Sequence, residues 1–173
     1  MLIEQSRQNA IQSVNAELIK LYWHVGEYLS NECAKSSWGD SFIDKTAEYI
    51  EENYPEIKGF TRRGLYRMKR FYETYKSIEF VTTVLTQISW SNHLAILASA
   101  KSQEEREFYI KLCIKEKYST REVQKQLDSA YYERYMLSSK KLEPIPIEKN
   151  VKTRFLDTIP NILIRLDKFS KRW

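Results

Sequence analysis

The sequence predicts an all-α chain: a multi-helix domain with a helix-turn-helix-like core and a long N-terminal helix. Three observations predict it. Gly and Pro number only four each in 173 residues, too few breakers for many short strands. Apolar side chains recur at three- and four-residue spacings through most of the first 137 positions. Ser or Thr residues stand repeatedly at helix-start positions, twice with Glu three residues on, as in Ser102/Glu105 and Ser119/Glu122. Residues 1–137 are read as the helical domain, and 138–173 as a linker followed by a short amphipathic tail.

The first helix is expected over residues 3–34. Ile11, Val14, Leu18, Leu21, Val25 and Tyr28 form a heptad seam along it. The seam is short for a free coiled coil, so it is expected to pack on the rest of the domain; a homodimer seam is the alternative. Tyr22 and Trp23 lie beside it and extend the core. His24 has no second ligand nearby and is read as a surface or core-edge residue, not a metal site. Residues 36–39, Ser-Ser-Trp-Gly, break the helix. A second begins with Asp40 or Ser41 as its cap and runs to about Tyr54, with Phe42, Ile43, Ala47 and Ile50 inward. Pro55 and Gly59 punctuate the connection that follows.

The third helix dominates the reading. Residues 58–76 hold seven Lys or Arg against Glu73 alone. Thr61 is the expected N-cap. At about 100° per residue, Leu65, Met68, Phe71, Tyr72 and Tyr75 share a buried arc. Arg63, Tyr66, Arg67, Arg70 and Thr74 share another, with Arg62 near its edge. Such a helix offers one stripe to a core and a guanidinium-rich stripe to phosphates or guanine edges. The competing reading is a solvated basic face on an ordinary core helix. Helix, connection and basic helix together outline a helix-turn-helix, although the connection is longer than the usual three or four residues.

Residues 77–90 are rich in β-branched side chains and prefer strand locally, but a short helix or an ordered linker fits equally. A short helix is expected from Ser91 or Asn92 through Leu97. Two more are expected over 103–116 and 120–135. Phe108, Tyr109, Leu112 and Cys113 face inward on the former, Val123 and Leu127 on the latter. Residues 138–150, with Pro144 and Pro146, read as linker.

The net charge of +5 is local in origin. Residues 1–55 carry −5, residues 56–80 carry +4, residues 81–143 carry +2 and residues 144–173 carry +4. Nucleic acid is the first partner this suggests, ahead of an anionic membrane or an acidic protein. No leader and no apolar run of spanning length is visible, so a cytoplasmic protein without a membrane partner is expected. Cys33 and Cys113 make no disulfide framework and suit a reducing compartment.

Catalytic constellations are missing. There is no phosphate-cradling Gly-rich loop, no His-Glu-x-x-His and no Cys-x-x-Cys; two distant histidines leave little for Ser-His or Cys-His chemistry. Asp40, Asp44, Glu48 and Glu52 form an acidic ridge at one-turn spacing, read as solvated in preference to metal-binding. No enzymatic activity, cofactor or metal is expected.

Several stretches, in order, resemble one family. These are Val14 to Gly26, Gly59 to Tyr72, Ile88-Ser-Trp-Ser-Asn-His93, Arg106 to Tyr109, Ser119 to Leu127 and Tyr132 to Arg134. Together they are similar to the N-terminal domain of bacterial YhcG-like proteins, over roughly residues 3–137. The resemblance implies a helical, helix-turn-helix-like DNA-binding module that in the family usually precedes a nuclease domain of the PD-(D/E)XK class. No nuclease motif follows Pro146 in this sequence, so the module is expected to act without one on the same chain. Gly64 stands where the family often has a polar residue and is expected to loosen the start of the basic helix. Trp90 and His93 are read as structural.

The expectation is therefore a non-catalytic DNA-binding module, with Arg62, Arg63, Tyr66, Arg67, Lys69 and Arg70 as contact residues and Lys58 adding field. The alternative is an interaction or oligomerisation module, forming a homodimer through the N-terminal helix or partnering a separately encoded nuclease. A hydrolase on the acidic ridge is the remaining reading.

Overall fold

The computed structural model describes residues 1–35, 39–77 and 84–138, and among these residues apolar periodicity becomes seven helices. They are α1 (Leu2–Lys35), α2 (Gly39–Asn53), α3 (Arg62–Tyr75), α4 (Trp90–Ser99), α5 (Gln103–Glu116), α6 (Thr120–Asp128) and α7 (Tyr131–Ser138). No strand occurs among the described residues. The expected tail and nearly all of the linker, from residue 139 on, lie outside them, as do residues 78–83 of the β-branched stretch and residues 36–38 before α2.

Helices α1, α2 and α3 pack on one another, and α4 joins α3 to α5 and α6. The inner face of α1 is Ile19, Tyr22, Val25, Gly26 and Leu29. Gly26 is there because α3 crosses at backbone contact: a Cβ would meet the carbonyl oxygen of Met68 at 2.2 Å. On α2, Ile43, Ala47 and Ile50 are buried as expected; Thr46 joins them by donating its hydroxyl to the Phe42 carbonyl, 2.7 Å away.

The heptad seam divides. Val25 is buried, but Ile11, Val14 and Leu18 are 59%, 70% and 36% exposed, against the expectation that the seam packs on the domain. Every residue from Met1 to Val14 is exposed. Docking begins at Asn15, whose amide donates to the carbonyls of Thr86 (3.3 Å) and Ile88 (2.9 Å).

Ser89, not Ser91 or Asn92, caps α4: its hydroxyl accepts from the Asn92 N–H at 3.2 Å. Ser102 caps α5 in the same way through Glu105 N–H, 3.1 Å away. At α6 the Glu122 carboxylate folds back to accept the Ser119 N–H (2.7 Å) and hydroxyl (2.8 Å), which holds its pKa below the usual carboxylate value. The helix expected over 120–135 is two helices, broken at Ser129–Ala130 where Ala130 takes φ +50°. Phe108, Tyr131, Tyr132 and Tyr135 close this end with ring contacts of 4.8–5.9 Å from Phe108.

The signature Ile88-Ser-Trp-Ser-Asn-His93 is a structural knot. His93 is fully buried, and its Nε2 faces the Leu85 carbonyl at 2.8 Å. Asn92 is buried too; it donates to the Tyr118 carbonyl (2.9 Å) and accepts the Thr120 hydroxyl (2.8 Å), tying α4 to the turn before α6.

Candidate nucleic-acid interface

Helix α3 starts sharply because Thr61 caps it, its hydroxyl accepting the Gly64 N–H at 3.3 Å. The chain before it turns back at Gly59, φ +94°. That turn brings the Gly59 carbonyl to within 2.0 Å of where a Gly64 Cβ would stand. Gly64 is thus a close-approach residue that tightens the start of the helix, where the sequence suggested loosening.

The inner stripe is as expected: Leu65, Met68, Phe71 and Tyr75 are buried, and Tyr72 is half-buried. Phe71 is the hub of an aromatic cluster, with ring centroids 4.9 Å from His93, 5.3 Å from Trp90, 5.4 Å from Tyr75 and 5.9 Å from Trp23. Residues from α1 and α4 therefore grip α3, and its outward residues sit on a rigid element.

The six candidate contact residues fall into two groups. Arg63 and Arg67 are exposed, one turn apart, with no ion pair to a described residue. The other four are engaged. Arg62 donates from Nε to Asp44 of α2, which raises the guanidinium pKa further, and it stacks over the half-buried Tyr66 ring at 5.6 Å. Lys69 lies 3.5 Å from Glu73, itself the acceptor of the Ser30 hydroxyl at 3.0 Å. Arg70 donates from Nη2 to the Leu97 carbonyl at 2.8 Å, satisfying an end carbonyl of α4. Lys58 is exposed and donates to the Pro55 carbonyl at 3.3 Å.

Asp44 belongs to the acidic ridge of α2, so the ridge and the basic helix meet at one ion pair. Among the described residues, no three His, Cys, Asp or Glu side chains converge as metal ligands would. No described helix is long and apolar enough to cross a membrane. Neither Cys33 nor Cys113 forms a disulfide; burial pushes the Cys113 thiol up to about 11, which makes it inert at neutral pH.

The sequence profile of the DUF1016 N-terminal domain matches residues 1–134. The chain belongs to that family. It is also 22% identical over 173 residues to the "Putative nuclease YhcG" of Escherichia coli (strain K12), a match covering 81% of this chain and 45% of the relative. The chain thus spans less than half the length of that curated relative. No solved structure matches. The DUF1016 N-terminal match takes in α1 to α6 and the start of α7, so Thr61, Arg63, Arg67 and the Ile88–His93 knot all lie within it.

Sequence reasoning missed three residues that build the site: Gly26, which sets the α1–α3 distance; Asp44, which occupies Arg62; and Leu97, whose carbonyl occupies Arg70. Only Gly26 left a signal, as the single small residue within an otherwise apolar inner face.

Proposed function

We propose that this domain is a DNA-binding module, not catalytic by itself, whose α3 outer face contacts the phosphate backbone. The observation that carries the reading is Arg63 and Arg67, exposed one turn apart and without an ion pair among the described residues, on a helix held by an aromatic cluster around Phe71. Guanidinium groups match phosphate oxygens in forked geometry, and a rigid helix presents them without a cost of ordering the backbone. Arg62, Tyr66, Lys69 and Arg70 flank the pair and add local field. Helices α2 and α3, joined by residues 54–61, serve as the helix-turn-helix element in this reading. The 22% identity to a protein named as a nuclease fits a module that brings nucleic acid to nuclease chemistry located elsewhere, in the cytoplasm.

The test is a salt series of duplex-DNA binding with Arg63→Ala/Arg67→Ala. Loss of two phosphate contacts lowers the slope of log affinity against log salt by about 2 and weakens binding to all sequences alike. Unchanged affinity in a folded double variant assigns the face to solvent.

A second reading, an interaction module for another copy or for a nuclease subunit, is favoured by one observation: the exposed apolar seam of Ile11 and Val14 on the projecting part of α1, continued by Leu18 where α1 docks.

A further inference from the structure

Helix α1 runs to Leu2, yet its first contact with the fold described is at Asn15. Thirteen helical residues, about 20 Å at 1.5 Å each, therefore project with Leu2, Ile3, Ile11 and Val14 exposed, and Leu18 continues their stripe alongside the docked part. At 100° per residue, Ile3, Arg7, Ala10, Ile11, Val14, Leu18 and Leu21 share one arc, beside the arc of Ile19, Tyr22, Gly26 and Leu29 that α1 gives to its own core. The arm thus has one apolar stripe with nothing described against it, flanked by Glu17, an exposed carboxylate that also accepts from Lys20 of the same helix at 2.6 Å.

The charges on that stripe decide the orientation of an occupant. Laid parallel against a second copy in register, the stripe sets Arg7 on Arg7 and Glu17 beside Glu17. Reversed about residue 12, it sets Ile3 beside Leu21, Ala10 and Ile11 beside Val14, and Arg7 beside Glu17. A two-fold axis repeats each of these pairs, so the surface is complementary to itself, as an isologous interface requires. We propose that the projecting arm of α1 is an antiparallel homodimerisation element, each arm lying along the Ile11–Leu21 stretch of its partner's α1. It rests on the interaction reading and is independent of DNA contact by α3. Arg7 interrupts the apolar stripe, and in the dimer it meets the partner's Glu17, which fixes direction and register as charged flanking positions do in coiled coils.

The test is the mass of the full 173-residue chain by light scattering across micromolar concentrations. Wild type runs at twice the monomer mass. Ile11→Glu/Val14→Glu, at exposed positions, runs as a folded monomer with its melting temperature retained. Arg7→Glu and Glu17→Arg each weaken the dimer several-fold, and the two together restore it, because the swapped charges again face each other. A wild-type monomer throughout overturns the proposal and assigns the stripe to a different protein or another part of this chain. A double-Glu variant that stays dimeric, or that unfolds, also overturns it, and a charge swap without rescue overturns the antiparallel arrangement. Salt-dependent DNA binding by the monomeric variant reads the α3 face separately.

Discussion

The Cα of Gly26 on α1 sits against the carbonyl of Met68 on α3, with room for no side chain: a Cβ would lie 2.2 Å from the Met68 oxygen and 2.9 Å from the Tyr72 Cβ. The obstacle is helix backbone, so it cannot rotate aside. Gly26→Ala gains about 1 kcal/mol of helix propensity but forces α1 and α3 apart across the main core. The net expectation is a loss of about 2 kcal/mol and a melting temperature lower on the order of 8 °C, read by thermal and urea denaturation. A variant more stable than wild type would mean the two helices do not touch at that point.

Gly26 also marks how far the sequence could be read. Local code was legible: Thr61 caps α3, the Ser102 and Ser119 starts fall where capping chemistry placed them, and the stripe Leu65, Met68, Phe71, Tyr75 is buried as its spacing demanded. These depend on neighbours within a turn. What was not legible depends on partners far along the chain. Periodicity marks Ile11, Val14 and Leu18 as apolar on one face, but it cannot say that docking starts only at Asn15, which reaches carbonyls more than seventy positions away. Likewise, a helical wheel shows Arg62, Arg67 and Arg70 alike. Only tertiary packing separates an arginine paired with Asp44 and one capping Leu97 from one left to solvent.

The buried amide of Asn92 holds two partners at once, the Tyr118 carbonyl and the Thr120 hydroxyl. Asn92→Ala strips both and leaves them without a protein partner. A loss of about 1–3 kcal/mol is expected, the net worth of the two hydrogen bonds, since Thr120 is exposed and its hydroxyl can turn to water. Thr120→Val alone removes one bond but leaves the buried Asn92 Oδ1 without that donor, so it should cost a similar amount. Because the two side chains bond directly, the double variant should be less destabilised than the sum of the singles by about 0.5 kcal/mol or more in urea unfolding. Strict additivity would show that the 2.8 Å contact contributes nothing in solution.

Stability should fall on mild acidification because of His93. Its Nε2 faces the Leu85 carbonyl, so the neutral ring carries its proton there and leaves Nδ1 a bare acceptor with no partner among the described residues. Tyr75, its ring 6.0 Å away, is held protonated by burial, so it offers no negative charge to stabilise an imidazolium. Burial lowers His93 from 6.5 to about 4. Below pH 6.5 the unfolded chain therefore binds a proton that the folded chain refuses. The stability present above pH 6.5 drains away as pH falls toward 4, by roughly 3 kcal/mol in all. Urea midpoints measured between these limits should decline in wild type and decline less in His93→Gln. Equal slopes in the two would remove His93 as the cause.

Asp44 holds Arg62 away from the partner proposed for α3. The pair bridges α2 and α3, and both side chains are well exposed, so its contribution to stability is small. Its effect on DNA should be larger. Asp44→Asn removes a negative charge beside the basic face and releases the Arg62 guanidinium from a carboxylate that competes with phosphate. Duplex DNA should then bind several-fold more tightly, with the slope of log affinity against log salt steeper by about 1. Arg62→Ala should do the reverse, because it leaves Asp44 uncompensated where phosphate must approach. The two variants moving affinity in opposite directions, with melting temperatures unchanged, would tie the effect to α3. Parallel shifts of both, or none, would place the DNA elsewhere.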